Sequence, residues 1–265
     1  MKITKASAFL LGFYSVLLIW WFTLYSYGLT DNQFNLVFAF AYGLLPVFGG
    51  ILGLETAAKW GMTKSVIGKA LMFLSLGLIS WGIGEMIWSY YNFALHVEVP
   101  YPSLADVCFI MAVPLWISGV YYLSKATGTS FGMKHKDGKL LLVGVPIIAL
   151  IFSYYLLIVV AREGQISAWE GPLKVFFDFT YPVGDLIILA EAALVYGLSF
   201  RYLGGRYKWP VLITLFGFLV MYCADFSFSY TTTVKTFYNG NWVDLLFTTA
   251  MFIMSFGVNT LTIKD

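Results

Sequence analysis

Hydrophobic residues run along this chain in long unbroken stretches, separated by short polar turns. Eight stretches stand out, at roughly 7–28, 35–57, 70–92, 103–124, 140–161, 175–200, 209–231 and 242–262. Each is close to the ~20 apolar residues an α-helix needs to cross the hydrocarbon core. None alternates with a period of two, which excludes a strand barrel. The pattern predicts an all-α, polytopic membrane protein with eight transmembrane helices, a single integral membrane domain over residues 1–265. The first run follows Lys2 and Lys5 but continues from Phe9 to about Tyr27 without a small-residue cleavage site, so it reads as a retained span. The longest connection is about 126–139, and no soluble domain is expected beside the spans.

Charge placement orients the bundle. Lys2, Lys5, Lys59, Lys64, Lys69, Lys125, Lys134, Lys136, Lys139, Arg201, Arg206, Lys208 and Lys264 fall on one side, and only Arg162, Lys174 and Lys235 on the other. By the positive-inside rule both termini are cytoplasmic in a multi-pass protein of the cell membrane. Asp31, Glu98, Glu163 and Glu170 then lie outside.

Composition agrees with the pattern. Hydrophobic residues make up 60% of the chain and charged ones 11%, against about 25% charged in soluble domains. The net charge of +2 implies no general attraction to nucleic acid. Cys108 and Cys223 read as buried apolar thiols, and with His96 and His135 they form no metal-ligand spacing.

Carboxylates inside the apolar runs carry the chemistry. Trp81, Glu85, Trp88 and Asn92 share one helical face. About 140 residues later the pattern returns: Glu85 corresponds to Asp225, Trp88 to Phe228, Tyr90 to Tyr230 and Asp106 to Asp244. Tyr42 and Tyr181 also line up, whereas Asp185 has no acidic counterpart. These echoes predict a 4+4 internal repeat with halves of about 1–126 and 139–265. An even number of spans per half makes the repeat parallel.

Ser103-x-x-Asp106 and Asn241-x-x-Asp244 have capping-box spacing, so both acids are expected at helix starts on the outer rim. Glu85 and Asp225 lie deeper, where an ionised group facing lipid costs about 2.5–3.5 kcal/mol and is therefore expected to face the bundle interior. Asp178 and Asp185 lie within about 20° of each other on an ideal helix. Asp185 follows Tyr181-Pro182-Val183-Gly184, where proline and glycine loosen a helix, and Asp178 is expected nearer the rim. Glu191 falls on another face and reads as a residue of helix packing or of a second polar contact.

Glu85, Asp185 and Asp225 are expected to line an outward-facing acidic cavity with Trp81, Trp88, Asn92, Phe228 and Tyr230. Carboxylates beside aromatic faces suit a small cationic ligand. No Walker A, HExxH or nucleophile-elbow motif occurs, and no span carries a central lysine for a retinal-type linkage. Catalysis, a cofactor and a metal are not expected.

The tracts Pro102-Ser103-Leu104-Ala105-Asp106-Val107, Tyr181-Pro182-Val183-Gly184-Asp185-Leu186 and Asn241-Trp242-Val243-Asp244-Leu245-Leu246 resemble the multi-pass membrane sensor regions that precede diguanylate-cyclase (GGDEF-type) output domains in bacterial signalling proteins. The resemblance covers spans three to eight. It implies a membrane sensing module marked by Asp106, Asp185 and Asp244. Without an output domain, such a module is expected to signal through a separate cytoplasmic partner. The alternative expectation is a small secondary transporter whose two four-helix halves use the carboxylates for proton or cation coupling.

Overall fold

The computed structural model describes residues 3–30, 32–97, 99–127, 129, 136–160, 172–199 and 207–263. Among them are helices α1 (Lys5–Ser26), α2 (Gln33–Lys59), α3 (Val66–Phe93), α4 (Leu104–Ala126), α5 (Lys136–Ser153), α6 (Pro172–Ser199), α7 (Lys208–Thr233) and α8 (Trp242–Thr260). A π-helical segment, Tyr154–Val160, continues α5. The described residues contain no strand, and eight helical segments are long and apolar enough to cross a membrane. Asp31, Glu98, Arg162, Glu163, Glu170 and most of the 126–139 connection lie outside the described residues, as does the side chain of Asp178.

The helices extend past several predicted apolar runs because hydropathy locates the lipid-facing part of a helix, not its capped end. α3 begins at Val66 instead of 70. Ser65 starts it, its hydroxyl accepting from the Gly68 N–H at 2.9 Å and donating to the Trp60 carbonyl. Ser65→Ala is expected to cost about 1 kcal/mol, lowering the thermal midpoint in detergent by roughly 2–4 °C. An unchanged midpoint would show that this cap contributes nothing.

Six helices form a closed ring in the order α2, α3, α4, α6, α7, α8, with α8 returning to α2. Outside the ring, α1 packs on α2 and α8, and α5 packs on α6 while its π-helical continuation meets α7. Thr4 Oγ1 donates to the Asn259 carbonyl at 3.3 Å and Trp60 Nε1 to the Leu261 carbonyl at 2.7 Å, which brings the chain ends to one end of the bundle. At the opposite end Trp21 Nε1 donates to the Asn241 carbonyl at 2.9 Å.

Lipid tails are as apolar as leucine, so helix association in a membrane relies on close packing at small residues. The α2–α3 seam follows this rule. A Cβ placed on Gly50 would lie 2.5 Å from the Ser75 carbonyl oxygen, and one on Gly82 would lie 2.7 Å from the Gly43 carbonyl oxygen. Between α3 and α4, the Trp116 indole occupies the space that a Cβ on Gly77 would need. α6 runs through Pro182 and Gly184 as one helix, and Gly184 serves instead as the surface on which Val113 of α4 packs.

Candidate functional site

Tyr42, on the interior face of α2, is 2% exposed. Its hydroxyl lies between two carboxyl groups, Asp244 of α8 and Glu85 of α3, and interacts with both. It donates to Asp244 Oδ1 at 3.5 Å, and its single proton can serve only one acid at a time. The other Asp244 oxygen accepts from the Gly240 N–H at 2.5 Å. Glu85 is 6% exposed and lies beside the buried hydroxyl of Ser89, which acts on it. Gly43 is what admits Glu85 to this position, since a Cβ there would lie 3.0 Å from Glu85 Cγ. No basic side chain among the described residues acts on Glu85 or Asp244.

A second cluster occupies the other side of the ring. Tyr181 of α6 donates to Asp106 Oδ1 of α4 at 2.7 Å. Asp106 Oδ2 accepts from the Ser103 N–H at 2.7 Å and the Ser103 hydroxyl at 2.9 Å. One turn beyond Tyr181, Asp185 stands close enough to Asp225 of α7 for the two acids to act on each other, and Asp225 also acts on Tyr181. Asp225 is half-buried, unlike Glu85.

Ser103 and Asp106 therefore meet as their spacing predicts. Asn241 and Asp244 divide the same task differently. Asn241 Oδ1 accepts from the Val243 and Asp244 N–H groups, whereas Asp244 reaches back to Gly240. Gly240 has φ +80°, a conformation open to glycine, and this turns its N–H toward the acid.

The predicted aromatic residues pack against one another. Trp81 is 4% exposed and touches Tyr42, Phe109 and Phe247 with ring centroids 6.3, 5.4 and 5.5 Å away. Phe247 meets Phe228, which in turn contacts Trp88 and Phe237. The rings thus form a chain from the Tyr42 cluster toward the α7–α8 turn. Tyr230 is exposed and stacks on Phe226, and Asn92 Nδ2 donates to the Trp88 carbonyl within its own helix. Glu85 and Asp225, paired by the sequence echo, belong to separate clusters.

Tyr42, Ser89 and Tyr181 are site residues that sequence reasoning did not select. The alignment of Tyr42 with Tyr181 was the available signal, but a tyrosine in an apolar run is ordinary until an acid stands opposite it. Glu191 has its Oε2 buried without a hydrogen-bond partner. Among the described residues no group of three or more His, Cys, Asp and Glu side chains is placed to hold a metal.

Fold and site together define a class: a helical bundle suited to a bilayer, carrying acids joined to tyrosine hydroxyls between its helices. Protein-family models, curated proteins and solved structures were compared with the chain, and none matches. Nothing in these comparisons links the chain to GGDEF-associated sensor regions.

Proposed function

We propose that this protein is a cell-membrane sensor or binding module with cytoplasmic termini, and that its acid pairs take a positive charge from outside, a proton or a small cation. The observation that carries this reading is the meeting of Glu85 and Asp244 around one tyrosine hydroxyl, with no basic side chain among the described residues acting on either acid. Like charges repel strongly away from bulk water, and one shared positive charge relieves that repulsion. The Asp185–Asp225 pair offers the same chemistry in a more accessible place.

The parallel 4+4 duplication belongs to the proposal. Its support is a pair of corresponding contacts: Tyr42 reaches Asp244 and Tyr181 reaches Asp106, each crossing from one half of the chain to the other. Sensing through a separate cytoplasmic partner draws its support from the resemblance of the three tracts. The test uses neutral amides. Wild-type protein in detergent is expected to gain thermal stability on acidification or on adding a small cation. Glu85→Gln and Asp225→Asn, which need no shared positive charge, are each expected to lose the response of their own cluster, and the double variant is expected to lose all of it. A double variant with the full wild-type response would overturn the reading.

The crossed tyrosine contacts also favour a second reading, a small secondary transporter. Two halves rocking about a midplane site would have to break both contacts to open that end. Cation uptake into proteoliposomes would establish transport. Cation-dependent stabilisation without uptake would leave the sensor.

A further inference from the structure

A cleft of about 470 Å³ opens between the α1–α2 turn and the α7–α8 turn, at the end of the bundle away from the chain termini. Thr30, Asn32, Asn35, Lys235, Tyr238 and Asn239 supply its polar wall beside the apolar Leu36 and Phe237, and among the described residues that line it the only charged side chain is a lysine. None of these residues belongs to the acid clusters.

Asn35 supplies an acceptor with nothing to accept. It is 1% exposed, and its Nδ2 donates to the Leu29 carbonyl at 3.0 Å, which fixes the orientation of the amide. Its Oδ1 is buried without a hydrogen-bond partner. A buried acceptor left in this state is costly and calls for a donor. Lys235 supplies an exposed positive charge and has φ +57°, in the left-handed region where glycine is favoured after a helix end. A lysine held in that conformation at the rim of a polar cleft points to a use for its charge.

We propose that this cleft binds a small anion that also carries an N–H or O–H donor, the anionic group pairing with Lys235 and the donor reaching Asn35 Oδ1. Amino acids and the phosphoethanolamine headgroup of a lipid share this chemistry. The cleft adjoins the first acid cluster, because the Asn35 amide rests on Gly240, whose N–H holds Asp244. The proposal stands without the cation reading of that cluster.

The test titrates the purified full chain in detergent with L-serine and with glycerophosphoethanolamine, following heat and thermal midpoint. At least one probe is expected to bind and to raise the midpoint. Lys235→Gly is expected to unfold no lower than wild type when free, because glycine suits the backbone. It should bind about tenfold or more weakly, the loss expected for a charge-assisted contact. Lys235→Arg should restore binding. Competition by nanodiscs containing phosphatidylethanolamine, absent with phosphatidylcholine alone, would identify the lipid as the source, and binding of L-serine without such competition would identify a free solute. Absence of binding by both probes, or undiminished binding in Lys235→Gly, would overturn the proposal. Acid-cluster variants retain binding in the expected result, which separates this test from that of the cation reading.

Discussion

Gly50→Leu is expected to prevent assembly of the bundle. A Cβ at this position would lie 2.5 Å from the Ser75 carbonyl oxygen and 2.5 Å from Ile79 Cγ1. The first neighbour is helix backbone, so no rotamer change removes the clash, and α2 and α3 must separate. Overpacking a core costs about 1–3 kcal/mol when side chains can move. Moving a helix that contributes to both the ring and the Tyr42 cluster is expected to exceed about 3 kcal/mol, a large part of the ~5–15 kcal/mol by which proteins are usually stable. Size-exclusion chromatography in detergent should show loss of the monodisperse species. Gly12→Leu is the control, since α1 is open there and nothing lies within 4 Å of the added carbon. Surface changes of that kind usually fall within about 0.5 kcal/mol. If the two variants behave alike, the α2–α3 seam is not packed as described.

Asp244→Ala carries the second largest expected effect. The substitution leaves the buried Gly240 N–H without its acceptor and Tyr42 without a partner on α8. It also removes an acid from the first turn of α8, where the helix dipole favours one. A buried donor left unsatisfied costs about 1–3 kcal/mol, and with the lost tyrosine contact the sum is about 3 kcal/mol. Asp244→Asn keeps one acceptor oxygen and should lose less, and Tyr42→Phe should cost about 1 kcal/mol. A double-mutant cycle between Tyr42→Phe and Asp244→Ala is expected to show coupling of about 1 kcal/mol. Additive losses would mean that the hydroxyl and the acid do not cooperate, and Asp244 would then act only as the cap of its own helix.

These results bear on what the buried acids do. Asp106 and Asp244 each stabilise a helix start and each receive a tyrosine from the other half of the chain. In Asp244 the cap and the proposed charge response would therefore reside in one group. Glu85 and Asp225 differ in that neither caps a helix, which is why their amide variants test the proposed charge response with least disturbance to the fold.

The sequence by itself determined the eight helices, because the requirement to hydrogen-bond every backbone group in lipid leaves a long apolar run no other spanning form. It also determined that Ser103 would meet Asp106, since three residues of helix bring a cap and its partner together whatever surrounds them. Which acids share a site was decided by tertiary structure alone. Glu85 and Asp225 match in sequence, yet Glu85 lies with Asp244 and Asp225 with Asp185, because helix order around the ring, not sequence correspondence, sets who stands opposite whom. Tyr42 and Asn35 gained their significance in the same way. Periodicity reports the face on which a residue lies, and only the packed neighbours reveal an acid across from a hydroxyl or an amide oxygen left without a donor.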